Sequence, residues 1–181
     1  MRSKVYVYFL LGVFWMAGCK KASSPNNENE HAAINGVELI FTQDGNLVGA
    51  FIAEDPDGDG GAPPSRIDTI KLPLSVKPYQ AQIIVKNISN GVVKELNAKI
   101  QEQGTSHEFY YLSEGLNMSI NKKDKDANGY PLGFLTDWQT NTAGDGNVII
   151  KLMHKTLIKG PNDSPTKGHS DIEIIFPVKI Q

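Results

Sequence analysis

The chain has 181 residues, 40% of them hydrophobic and 21% charged, with a formal net charge of −2 and a single cysteine. A balance so near neutrality argues against nucleic acid, which wants a basic face, and one thiol excludes a disulfide framework. Removing Arg2 and Lys4 with a leader leaves sixteen basic against twenty acidic residues, a formal charge of −4, which suits an ordinary solvated surface.

The first twenty-one residues are MRSKVYVYFLLGVFWMAGCKK. A short positive start at Arg2 and Lys4, the apolar run Val5 to Ala17 and the small residues before Cys19 read as a secretory signal. The run is shorter than the roughly 20 apolar residues a membrane span needs. Met16-Ala17-Gly18-Cys19 resembles a bacterial lipobox, with Met16 in place of the usual Leu. That implies removal of residues 1–18 and lipidation of the Cys19 sulfur with a palmitate-type acyl chain. The expected address is the cell envelope of a diderm bacterium, lipid-anchored in the outer membrane, with the periplasmic and surface faces both open.

Residues 19–33 carry the lipidated cysteine and the polar stretch KASSPNNENEHAA, which offers almost nothing to bury and reads as a disordered tether. Its reach is roughly 20 Å, enough to lift a domain clear of the headgroups.

From Ile34 to Gln181 the pattern is alternation, the period of a strand with one buried face. In chain order the expected strands are GVELIFTQ, NLVGAFIAE, SRIDTIKL, YQAQIIVK, HEFYYL, LNMSI, LGFLTDWQT, NVIIKLMH and DIEIIFPVKI, parted by Gly, Asp, Asn and Pro clusters. Pro177 lacks a donor and places the last strand at an edge there. AGDG, Ala143 to Gly146, reads as a hairpin turn. Only VVKELNAKIQEQ, Val92 to Gln103, spaces its apolar residues helically, through Val92 or Val93, Leu96 and Ile100. The fold class is therefore mainly β: one immunoglobulin-like β-sandwich over residues 34–181 with one short helix.

Two acidic stretches share the spacing D-x-D-x-[DN]-G: DPDGDG with Asp55, Asp57 and Asp59, and DKDANG with Asp124, Asp126 and Asn128. Alternate oxygens before a turn-permitting glycine are what a calcium loop supplies, so calcium is the candidate cofactor. The twelfth positions hold Arg66 and Leu135 instead of the bidentate Glu of an EF-hand. Loops of cadherin-like sandwiches are the nearer analogy, with Glu54, Asp68, Asp137 or Asp171 completing a cage. Asp, Asn and Gly are equally what plain turns demand.

The histidines are His31, His107, His154 and His169. There is no H-E-x-x-H and no close pair in sequence. If the strands of His107 and His154 were neighbours, the two imidazoles could share a metal, although a strand histidine is more often a hydrogen-bonded residue of the core margin. No nucleophile elbow occurs, and the expectation is a chain without catalysis. Trp138, beside Tyr130, could stack on a sugar ring, against the commoner use of a lone Trp in a core.

The order of lipobox, polar tether, E-L-I-F strand, DPDGDGG, IDTIKL, HEFYY, DKDANGYPLG, K-L-M-H and DIEIIFPVKIQ resembles a group of short Bacteroidetes-type lipoproteins, over nearly the whole chain. Some of that group carry a label relating them to type 1 periplasmic binding domains, which are two-lobed α/β structures unlike the strand pattern here. The resemblance implies an envelope address in a diderm bacterium. It also implies that D-T-I at Asp68 to Ile70 matches an O-glycosylation acceptor, with Thr69 modified. The functional expectation is a non-catalytic binding or scaffolding module facing an unknown envelope protein or glycan. The alternatives are an accessory glycan- or small-ligand-binding lipoprotein of nutrient uptake, or an envelope-polymer hydrolase.

Overall fold

The computed structural model describes residues 34–56 and 63–181. The signal, Cys19, the tether, Asp57 and Asp59 lie outside the described residues.

Among the described residues alternation becomes eleven strands: β1 (Gly36–Gln43), β2 (Asn46–Glu54), β3 (Arg66–Ile67), β4 (Ile70–Leu72), β5 (Tyr79–Ser89), β6 (Val92–Glu95), β7 (His107–Glu114), β8 (Met118–Lys122), β9 (Leu135–Thr140), β10 (Gly144–His154) and β11 (His169–Ile180). One sheet has the order β3-β2-β1-β5-β9-β8, with β6 also pairing β5; the other has the order β4-β11-β10-β7. Every pairing is antiparallel except β4 on β11. The expected mainly-β sandwich with one short helix is the fold. Its seven-plus-four strands exceed the four-plus-three of a constant immunoglobulin domain, so the likeness goes no further than the two packed sheets.

The inner faces carry the apolar residues that alternation selects. Val37, Leu39 and Phe41 of β1 and Ile83 and Val85 of β5 meet Val148, Ile150 and Leu152 of β10 and Phe176 and Val178 of β11 in one buried cluster. Trp138 of β9 lies at its heart, fully buried, edge-on to Phe41 at 4.9 Å and to Tyr111 of the opposite sheet at 6.0 Å. Its indole N–H donates to Thr136 Oγ1 at 2.8 Å, which removes the cost of burying a polar edge.

Three expectations are corrected. SRIDTIKL is not one strand: β3 lies in the first sheet and β4 in the second, and the chain changes sheets at Asp68 and Thr69. Asp68 steadies the crossing by accepting from Ile52 N and from the Arg66 guanidinium. The helix is shorter than the pattern predicts, because Asn90 (φ 50°) and Gly91 (φ 77°) form a hairpin turn that sends Val92–Glu95 back along β5. Only α1 (Asn97–Glu102) is helical, keeping Leu96 and Ile100 buried as the pattern requires. AGDG is not a hairpin turn, since β9 and β10 belong to different sheets. Gly146 serves close packing instead: a Cβ there would stand 2.3 Å from the Glu114 carbonyl oxygen. Pro177 does fall where β11 is half unpaired, since β4 flanks only Val178–Ile180.

One side chain closes a gap in the larger sheet. Strand β9 covers Tyr79–Gln82 and β6 covers Lys86–Ser89 along the same edge of β5. Between them Asn97, 6% exposed, accepts from Val85 N at 2.7 Å and donates to Ile83 O at 2.8 Å, standing in for a strand residue. Asn97→Ala leaves two buried backbone groups without these bonds, at about 1–3 kcal/mol per group. Urea denaturation is expected to show a lower midpoint with an unchanged slope; an unchanged midpoint would reject this role.

Candidate functional site

The strand pair β7 and β10 ends in H-E-F-Y and L-M-H-K, and alternation gives its two sides opposite chemistry. His154 stands directly across the ladder from His107, on the inner side with Leu152 and Phe109. Glu108, Tyr110 and Lys155 stand on the outer side, where the segment from Lys155 to Gly168 covers them.

Lys155 is fully buried. Its ammonium donates to Glu108 Oε2 at 2.9 Å and to the Tyr110 hydroxyl, and stands 3.5 Å from Asp163 Oδ2. Glu108 takes a second cation, Lys122, at 2.5 Å, and Asp163 takes Lys167 at 2.7 Å and Gly160 N at 2.7 Å. The Tyr110 hydroxyl donates onward to the Asp163 carbonyl at 3.0 Å. Burial first, then the Glu108 carboxylate, pushes the Tyr110 hydroxyl far above its ordinary pKa, so it stays a donor. Burial also lowers the Lys122 ammonium, partly offset by Glu108. Tyr110 does face outward, as strand alternation allows, but under a cover of chain.

Inside, His107 is 2% exposed and its ring stacks on His154 with centroids 4.6 Å apart and planes 8° from parallel. Its Nδ1 lies 3.0 Å from the Gln103 carbonyl and its Nε2 lies 3.4 Å from Asp171 Oδ2. The His154 Nε2 is 2.6 Å from Thr156 Oγ1. Asp171 arrives by a β-bulge: Leu152 pairs with Ile172 but Met153 pairs with Ser170, so Asp171 is the extra residue. Bulges of this kind re-aim a side chain. Of His107, His154 and Asp171, the first and the last line a cavity of about 160 Å³ together with Lys94, Leu96, Lys99 and Gln103. Among the described residues these three are the one group of three or more acidic or imidazole side chains whose ligand atoms all lie within 4.8 Å of one another.

The acidic loops are elsewhere. In DKDANG, Asp124 accepts from Gly133 N, Phe134 N and Leu135 N, at 2.8, 3.0 and 3.2 Å. Asp126 Oδ1 accepts from Asn128 N and Tyr130 N, both at 2.9 Å, while Oδ2 holds the Lys159 ammonium at 2.7 Å. Asn128 points to solvent. The carboxylates close the turn between β8 and β9, and a lysine takes the cation position, so these residues do not fit a calcium cage. Asp55 follows β2, whereas Asp57 and Asp59 lie outside the described residues. Trp138 is buried in the core, so it offers no stacking face to a sugar, and Tyr130 is only partly exposed in the loop. Thr69 is exposed at the sheet crossing. No family model, no curated protein and no solved structure matches the chain.

Sequence reading missed Lys155, Glu108 and Lys159. The signal available for the first was a lysine directly after an apolar strand run, where the next residue still lies under cover; nothing local marks the other two.

Two outcomes follow from these charges. Lys155→Ala leaves Glu108 buried with one cation, Lys122, and the Tyr110 hydroxyl, and is expected to cost about 3–5 kcal/mol in denaturant unfolding, whereas Lys155→Met combined with Glu108→Leu recovers most of it. A double variant no better than the single would reject the network. The second concerns acid. Burial raises the carboxyls of Asp126 and Asp163, but the ammonium of Lys159 for one and of Lys167 for the other, with backbone N–H bonds, overcomes it and holds both below the ordinary carboxylate range. A depressed folded pKa gives stability that is complete above the unfolded value, about 3.9, and is lost as pH falls through the folded one. Melting temperatures are expected to drop below about pH 4, less steeply in Asp126→Asn; equal acid slopes would overturn this assignment.

Proposed function

We propose that this chain is a lipid-anchored module of the bacterial cell envelope, tethered through Cys19, that binds a ligand or partner and performs no catalysis of its own. The binding role rests on one observation: the cavity of about 160 Å³ at the end of the sandwich, where buried His107 and Asp171 meet the lysines Lys94 and Lys99. A wall that sets buried polar groups beside cationic ones suits an anionic or metal-bearing ligand. Anchorage is supported by the apolar signal that ends on Met16-Ala17-Gly18-Cys19 and by the polar tether after it.

A second reading, a metal-dependent hydrolase of envelope polymers, is favoured by the ladder pairing of His107 with His154. Release of soluble fragments from isolated envelope polymer, abolished by a chelator, would select it over the binding module. The glycan-binding alternative loses its stacking platform with Trp138 in the core.

Metabolic labelling with palmitate is expected to mark the wild-type chain, while Cys19→Ser takes no label and accumulates at its longer, unprocessed mass. In the presence of solubilised envelope components, hydrogen exchange should slow around Leu96 to Gln103, the cavity wall. Label retained by Cys19→Ser, or exchange unchanged at that wall, would reject anchorage and binding respectively.

A further inference from the structure

We propose that His107, His154 and Asp171 form a binding site for one divalent transition-metal ion of the zinc class, beside the cavity that His107 and Asp171 line. The site goes beyond the binding role proposed above and does not depend on the lipid anchor.

Ligand chemistry is the first argument. Two imidazoles and one carboxylate are donors that zinc-class ions take, and calcium does not favour imidazole. The three come from three different strands, and the third is delivered by a bulge whose only effect on the ladder is to turn Asp171 toward the histidines.

Orientation is the second. A carbonyl oxygen only accepts, so the 3.0 Å contact from His107 Nδ1 to Gln103 O places a proton on Nδ1 and makes Nε2, the nitrogen that faces Asp171, the one through which an ion would bind. A metal-binding histidine is held in this way, its other ring N–H donated to a backbone carbonyl. Thr156 Oγ1, 2.6 Å from His154 Nε2, can hold the second ring likewise by accepting from Nε2–H, the arrangement in which Nδ1 binds the ion.

Spacing is the third. Bonds of about 2.0–2.1 Å put two ligand atoms of a tetrahedral site roughly 3.3–3.4 Å apart, and His107 Nε2 stands 3.4 Å from Asp171 Oδ2. The third corner requires movement. Ring lone pairs lie in the ring plane, and the two planes are 8° from parallel, so one ion cannot lie in both. Loading therefore rotates His154, the more exposed ring, out of its stack while the Gln103 carbonyl keeps His107 in place. His107 and Asp171 also line the cavity, where Lys94 and Lys99 favour an anionic group completing the coordination.

The test uses the full chain as purified in detergent, stripped with chelator and carrying no polyhistidine tag, titrated with zinc by calorimetry and with cobalt by visible absorption. Expected are one equivalent of ion, a tetrahedral cobalt spectrum and a raised melting temperature. Asp171→Asn and His154→Ala, checked by circular dichroism for an intact fold, should each weaken binding about tenfold or more. Imidazole resonances of both rings should shift with the first equivalent and stop titrating with pH. No stoichiometric binding, binding retained in both variants, or rings that still protonate at saturating zinc would overturn the proposal and leave a stacked histidine pair beside a carboxylate. Palmitate labelling is untouched by any of these results, so failure here and failure of the anchor reading are separable.

Discussion

The contact between Lys155 and Glu108 joins the end of β10 to the start of β7 across a sequence separation of 47 residues. An ammonium at 0% exposure is tolerated because it meets three acceptors, Glu108, the Tyr110 hydroxyl and Asp163, which outweigh the nearby Lys122 ammonium. Lys155 N also donates to Ser106 O at 2.6 Å, so both backbone and side chain pin this corner. With that corner closed, the residues just before Lys155 and Glu108 face each other on the inner side, and those residues are His154 and His107. The buried charges outside therefore position the imidazoles inside.

The same alternation that builds the core ends in polar residues at this corner. Leu152 and Phe109 are fully buried apolar residues, and one step further along each inner face the side chain becomes an imidazole. A regular ladder would have kept Asp171 off that face. The bulge between Leu152 and Met153 inserts one residue in β11 and brings the carboxylate in. The resulting cluster borders a cavity instead of packed core, which is where a ligand-binding role has room to act.

The two acidic stretches illustrate why residue spacing alone does not define a cation site. Asp124 and Asp126 have the alternate spacing of a calcium loop, yet their oxygens receive backbone N–H groups of the loop itself and the Lys159 ammonium. Lys159 also donates to Gly104 O, tying the loop to the 3₁₀ turn before β7. Carboxylates that saturate their own turn rigidify it and leave no lone pairs converging on an ion. His107 and His154 show the reverse, a close pair without any motif in the chain.

The sequence by itself determined the features that depend on near neighbours along the chain. Period-two alternation marked Val148, Ile150, Leu152 and His154 as one face and identified a mainly-β sandwich, and Leu96 and Ile100 held the helical spacing at α1. The turn at Asn90-Gly91, which the helical reading passed over, outweighed the helical spacing of Val92 and Val93. Only the tertiary structure decided which sheet each strand entered, that β3 and β4 part company, that Trp138 is core, and that Lys155, Lys159 and Asp171 find their partners. Alternation says which side of a strand a residue faces but not which strand lies opposite. That choice is made by pairing and packing between segments tens of residues apart, where a single bulge is enough to add Asp171 to the two histidines.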